Sequence, residues 1–386
     1  MGEDITGRTW GGTGARDDGL DALEDWEIDA LSEPWKRWSA TGVLAAAVLR
    51  ELARLRRIQQ RRRRHGHRIP MPDPASSSHA TERSMRGVQL PDGVALLNRA
   101  LDVLTVTLEA EGGDLPELDA VVLTLQYVEL HLPGPRVPVA PFATDPSRPN
   151  VWVCWADSPA LLPGQALAPP CEAYPALVSV GWDQQGHTVL IDLERAGVLN
   201  LTGDPDCTRH LFQALATELA ATLFSLHLPV SLVGQTAAEL TTVLEDINIT
   251  TANTAATGLR KHAAWQRTIL YEIGADSPRA ARPHEADGSP WHGYVVLSPD
   301  PHSALAPLVD MRAAWTQSTT AVIAISPPTL PMPNGTWTLN CQSPNDLVLL
   351  PGSGMPVHLQ QLDDAQFADT IALLTLGHST GDMPAN

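Results

Sequence analysis

Residues 187–234 read HTVLIDLERAGVLNLTGDPDCTRHLFQALATELAATLFSLHLPVSLVG. The apolar spacing predicts a strand at 188–192, a strand at 198–202, a helix over 206–223 and a strand at 229–233. A strand that runs through a tight turn into a helix N-terminus is the arrangement of a phosphate-binding unit. Its chemistry is missing. Where a phosphate loop needs a Gly-rich turn ending in Lys-Ser/Thr, this chain has Gly203, Asp204, Pro205, Asp206, Cys207, Thr208 and Arg209. Asp204 and Asp206 fall where carboxylates cap a helix and complement its dipole, and the same charges repel a triphosphate. Arg209 sits one turn into the helix. A residual phosphate site would comprise Gly203, Asp204, Asp206, Thr208 and Arg209; the residues favour a structural cap, with no catalytic residue, cofactor or metal. A nucleotide-site architecture without its cation points to a scaffold or regulator.

On the C-terminal side the pattern alternates as in a parallel α/β sheet. A helical stretch is expected from about 236 to 272, then a strand at 293–298 (GYVVLS), a helix at 302–316 and a strand at 320–326 (TAVIAIS). The runs YVVLS and AVIAIS are apolar throughout, as in strands covered on both faces. Residues 336–361 read as short antiparallel strands and 363–376 as a closing helix capped by Asp363. Asp300, after the strand at 293–298, is in position for a metal-binding acid, but Pro299 and Pro301 suit a turn better.

On the N-terminal side, Leu96, Leu97, Ala100, Leu101, Leu104 and Leu108 repeat at helical spacing. Short strands are expected at 120–125, 127–132, 151–155 and 177–182, with a turn at Asp183–Gly186. Residues 133–150 and 156–175 are Pro-rich loop. The expected fold is α/β, a P-loop-like mainly parallel sheet over 187–386 flanked by helices, preceded by a smaller α+β section over 92–186. Residues 69–91 read as a Pro/Ser-rich linker, and residues 1–34, acidic and polar, as a disordered N-terminus.

Residues 35–68 differ. From Trp38 to Leu49 the run is apolar or small, and nine arginines follow between Arg50 and Arg68. As a helix the twelve-residue run would be ~18 Å long, against a hydrocarbon core of ~30 Å. It is too short to span a bilayer unless it is the trailing end of a longer segment, which leaves a peripheral or a truncated transmembrane protein as the expectation. Arginines beside an apolar segment fit the cytoplasmic membrane face. The expected membrane contacts are Trp35, Trp38, Arg54, Arg57, Arg61, Arg62, Arg63 and Arg64. The formal net charge of the chain is -18, so everything outside the arginine run is strongly acidic, which disfavours nucleic acid as a partner of the globular part. His65 and His67 form a pair without companion ligands, and the arginines around them oppose a metal cation. Cys154, Cys171, Cys207 and Cys341 show neither metal-ligand spacing nor a disulfide framework. The segment PGSGMP (351–356) lacks the spacing of a serine-hydrolase elbow.

The apolar stub, the run ending GHRIPMP, the helix ALLNRALDVL, the motif YPALVSVGWDQQGHTVLIDLERAGVLNLTGD and the strand VSLVG appear in this order. Over about residues 40–375 the chain thereby resembles the central cytoplasmic region of large actinobacterial membrane proteins. Those proteins carry a LysM peptidoglycan-binding module on one side and a bacterial transcriptional activator domain on the other; neither is legible here. The resemblance implies a membrane-adjacent cytoplasmic module. The central unit also resembles, more distantly, the nucleotide-binding core of FtsK-like and type VII secretion ATPases, where a similar strand pair leads into the phosphate loop. The function expected is a non-catalytic, membrane-proximal interaction or regulatory module with a protein partner and an anionic membrane surface. The alternatives are an FtsK-like nucleotide-binding protein with a diverged loop and a DNA-binding regulator acting through the arginines.

Overall fold

Alternate residues of the central strands face opposite ways, and both faces are covered. In the computed structural model, Leu199, Leu201, Leu232, Val295 and Ile323 join one large core, while Val198, Val233, Val296, Val322 and Ala324 join a second. The structure describes residues 39–64, 67–161, 172–284, 291–299, 305–313, 318–344, 346–379 and 383–384. The fold is α/β, with a parallel sheet flanked by helices.

An antiparallel sheet comes first in the chain, built from β1 (Ala120–Leu123), β2 (Tyr127–His131), β3 (Ala143–Asp145), β4 (Arg148–Trp155), β5 (Leu177–Trp182) and β6 (Thr188–Asp192). The parallel sheet takes β7 (Val198–Gly203), β8 (Val230–Val233), β9 (Ile247–Thr250), β10 (Tyr294–Ser298), β11 (Thr320–Ile325) and β12 (Trp337–Cys341). A hairpin of β13 (Leu347–Leu349) and β14 (Pro356–Leu359) then returns to the antiparallel sheet. The strand orders are β9-β8-β10-β11-β7-β12 and β13-β14-β5-β6-β1-β2-β4-β3. From β7 the chain crosses to β8, three places away on one side; from β11 it passes β7 to β12 on the other. The carboxyl ends of β7 and β11 therefore flank a topological switch point, where open α/β sheets bind ligands.

Among the described residues, seven longer helices dress the sheets: α1 (Gly42–Arg62), α2 (Ser77–Val88), α3 (Pro91–Glu111), α4 (Pro205–Ala220), α5 (Ala252–Ile273), α6 (Leu305–Ala313) and α7 (Asp364–His378). Helix α4 lies between the sheets in the large core; α5 and α6 cover the other face of the parallel sheet.

Five expectations change. The apolar stub is a core helix: Val43 to Leu49 are buried, with Val43, Leu44, Ala45, Ala47 and Val48 at 0% exposure, and α1 packs on α2, α4 and α7. A run of this length carries the same apolar signal whether it enters a core or touches a bilayer. Among the described residues no helix is long and apolar enough to cross a membrane. The segment read as a linker contains α2, capped by Ser76, whose Oγ accepts the His79 amide at 3.2 Å. Asp369 of α7 accepts from the hydroxyls of Ser77 at 2.7 Å and Thr81 at 2.9 Å. The stretch 236–272 is not one helix: β9 pairs parallel with β8 before Thr251 caps α5. Finally, β12 is parallel and lies beside β7; only β13 and β14 are antiparallel. The boundary expected at 186/187 falls in the turn of the β5–β6 hairpin, where the Asp183 carboxylate accepts the amides of Gln185 at 2.9 Å and His187 at 2.8 Å.

Candidate functional site

The switch point is shaped by how β7 ends. Gly203 pairs with Cys341 of β12, and the Asp204 amide extends the ladder by donating to the Cys341 carbonyl at 2.8 Å. Helix α4 starts at Pro205. One residue, Asp204, therefore separates strand from helix, and no length of chain remains to curl around a phosphate. Gly203 has φ 125°, and a Cβ there would lie 2.4 Å from the Cys341 carbonyl oxygen, so glycine is required by both conformation and space.

The amides that make a helix N-terminus attractive to anions are already used. Pro205 has none. Asp206 and Cys207 both donate to Asp204 Oδ1 at 3.0 Å, and Thr208 donates to the Asp204 carbonyl at 2.9 Å. The Cys207 amide, then that of Asp206, holds the Asp204 carboxyl below its ordinary range. The Thr208 hydroxyl, the group that would coordinate a metal ion in a phosphate loop, donates to the carbonyls of Asp204 at 2.9 Å and Pro205 at 3.0 Å.

Arg209 is committed elsewhere. Its guanidinium lies 2.8 Å from Asp206 Oδ1 and 3.0 Å from Asp364 Oδ2, tying α4 to α7. Asp204, Asp206 and Asp346 all act on the Cys207 thiol, which burial pushes up in the first place. The mouth of the switch point is thus carboxylate-rich. Across it, Ser326 donates its hydroxyl to Asn200 Oδ1 at 2.7 Å and its amide to Leu201 at 3.0 Å. The buried hydroxyls of Thr202 and Ser298 have no hydrogen-bond partner among the described residues. Asp300 lies outside the described residues, as do Trp35, Trp38, His65 and Cys171. No group of three or more metal-ligating side chains occurs among the described residues.

The arginine run divides into two uses. Arg50 donates to the carbonyls of Ala221 and Thr222, and Arg56 makes a paired contact with Glu82 at 2.7 Å for both hydrogen bonds. Arg54 lies 2.7 Å from Glu51 and 3.4 Å from Glu245. Arg57, Arg61, Arg62, Arg63 and Arg64 are exposed at the end of α1 and just beyond it. Beside them opens a cavity of about 360 Å³, with Leu55, Ile58, Gln59, Arg62, Ile69 and His378 in its lining.

Two buried polar clusters carry no sequence motif. At the amino end of the parallel sheet, Arg282 makes a two-pronged contact with Glu194 at 2.6 and 2.8 Å and also donates to the carbonyls of Ala173 and Trp291. Arg279 reaches the fully buried Asp192 at 2.8 Å. Arg312 donates to the carbonyls of Thr320 at 2.6 Å and Glu194 at 3.1 Å. In the second cluster, Glu218 of α4 receives the Ser179 amide at 2.7 Å and the Ser179 hydroxyl. Gln360 and Thr41 complete that cluster. Burial pushes the Glu218 carboxyl up to about 7. Residues 88 and 39 positions apart cannot be paired by spacing in one sequence, and that is why both clusters escape it.

No protein-family model and no curated protein matches this chain. Among solved structures it is similar to the cytoplasmic domain of the type VII secretion ATPase EccC of Thermomonospora curvata, at 14% identity and a TM-score of 0.40, over 53% of this chain and 31% of that one. It is also similar to ATPases 2 and 3 of EssC from Geobacillus thermodenitrificans, at 10% identity and a TM-score of 0.40, over 58% of this chain and 54% of that one. A third is the monomer form of the pCW3 conjugation coupling protein TcpA with ATPγS, at 12% identity and a TM-score of 0.36, over 72% and 99% of the two chains. The chain thus spans about a third and about half of the first two. Such scores leave the functional argument to this chain's own geometry.

Proposed function

We propose that this chain is a non-catalytic interaction module. Its α/β core keeps the layout of a nucleotide-binding sheet while the phosphate position is closed, and the exposed arginines at the end of α1 contact an anionic membrane surface. The acidic remainder of the molecule presents the surface for a protein partner. One observation carries the reading: Asp204 takes up the amides of Asp206, Cys207 and Thr208, so a phosphate would have to displace a carboxylate already in place.

A second reading, nucleotide binding through a diverged loop, draws on the names of the EccC and EssC structures, both called ATPases. It would require Asp204 to give up its amides and Arg209 to leave Asp206 and Asp364. Thermal unfolding with and without millimolar Mg-ATP or Mg-GTP separates the two. An unchanged midpoint supports the closed site; a saturable rise with nucleotide concentration favours the second reading.

A further inference from the structure

The cavity at the end of α1 combines three properties that together define an occupant. Leu55, Ile58 and Ile69 give it apolar walls, Arg62 gives it positive charge, and Gln59 gives it a hydrogen-bond acceptor. Gln59 Nε2 is used, donating to the carbonyls of Leu376 at 2.8 Å and Ser379 at 2.9 Å. Gln59 Oε1 is buried and has no partner among the described residues. An occupant should therefore be apolar, carry an N–H donor, and bring negative charge to face Arg62, with Arg57 and Arg61 exposed on the same stretch of α1. Glu245, also in the lining, lies 3.4 Å from Arg54.

The chain contains such a segment. Residues 17–33, DDGLDALEDWEIDALSE, hold eight acids and no lysine or arginine, with Trp26 at their centre. Indole is a donor without an acceptor, which matches the orphan Gln59 oxygen. We infer that the acidic segment around Trp26 docks on the arginine end of α1, with the Trp26 ring in the cavity and its N–H on Gln59 Oε1. The tether permits it. Trp26 and Ser39 are thirteen positions apart and can span ~43 Å, whereas the cavity begins ~20 Å along α1. Trp35 and Ser39 are four positions apart, a reach of ~13 Å, so Trp35 falls short.

This inference rests on the reading of the arginines as a membrane-contact surface and adds its regulation: the segment and an anionic lipid compete for the same guanidinium groups. Each arginine near a membrane contributes ~1 kcal/mol, so masking two of them weakens lipid binding by at least tenfold.

Two measurements test it. A labelled peptide of residues 17–33 is titrated with the full chain carrying D21N, E24Q, D25N, E27Q and D29N, which empties the site. Capture is expected, weakened by salt as screening predicts and lost with a W26S peptide or with R61Q/R62Q in the chain. Absence of capture, or capture indifferent to W26S and to R61Q/R62Q, overturns the docking. In the second, sedimentation with phosphatidylserine vesicles compares the unaltered chain with the five-fold variant. The variant should bind at least tenfold more tightly. Equal binding by both overturns the docking and leaves the membrane reading intact. If neither chain binds vesicles while the peptide is still captured, the docking stands and the membrane reading fails.

Discussion

Asp204 Oδ1 accepts the Cys207 amide at 3.0 Å, and that contact decides what the end of β7 can do. The carboxylate occupies the place, relative to α4, that a phosphate takes at a helix N-terminus. An Asp cap holds the first turn of its helix, so D204A should lower stability measurably, while D204N, still an acceptor, should lose less. Chemical denaturation of the two variants checks this. Equal losses would mean that the cap bonds do not hold α4.

Gly203 is the partner of that arrangement. With φ at 125° and a Cβ that would sit 2.4 Å from Cys341 O, G203A strains the β7–β12 ladder. The expected cost exceeds about 1 kcal/mol. Unfolding midpoints in urea report it, and a neutral substitution would show that β7 and β12 are less tightly joined at this point.

Glu218 makes stability depend on pH. Its carboxyl is raised from 4.5 to about 7 in the folded chain, first by burial. Between those values the folded state holds a proton that the unfolded chain has released, so this group's contribution falls as pH rises from about 4.5 through 7. The full swing is on the order of 3 kcal/mol. Glu82 acts in the opposite sense: Arg56 holds it down to about 2, so its contribution is lost as pH falls from about 4.5 through 2. The difference between E218Q and the unaltered chain isolates Glu218. Denaturation at pH 5 and pH 8 should show E218Q losing less stability on alkalinisation; parallel losses would remove Glu218 as the cause.

The Arg282–Glu194 pair is buried on both sides, at 4% and 3% side-chain exposure. Removing one partner of such a pair strands a charge and costs about 3–5 kcal/mol. R282M should be severely destabilised, and R282M/E194L should recover much of the loss. Failure of the double variant to recover would place the role of Arg282 in its bonds to Ala173 and Trp291.

Much of the parallel sheet was legible because its strands are covered on both faces and their apolar runs are continuous: TAVIAIS and GYVVLS lie where β11 and β10 form. The cap at Asp363 was legible as well, and Asp363 accepts the Gln366 amide at 2.8 Å. The strand β9 was not, because INIT has only four residues and sits on the sheet edge, where Asn248 and Ile249 are exposed. The burial of Val43–Leu49 was not legible either, since composition does not distinguish a protein interior from a lipid one over so short a run. At the candidate site the residues were readable, and their consequence was not. Only the geometry shows that Asp204 Oδ1 takes two amides at once and that Arg209 reaches across to Asp364 on another helix.

The amides of Asp206, Cys207 and Thr208 are closed to a phosphate because Asp204 already holds them. Amide chemical shifts of Gly203 to Thr208, followed in a ¹⁵N spectrum while Mg-ATP is added to millimolar concentration, test it directly. The signals of Asp206, Cys207 and Thr208 are expected to stay in place. Saturable movement of those three, abolished by removing the nucleotide, would contradict it.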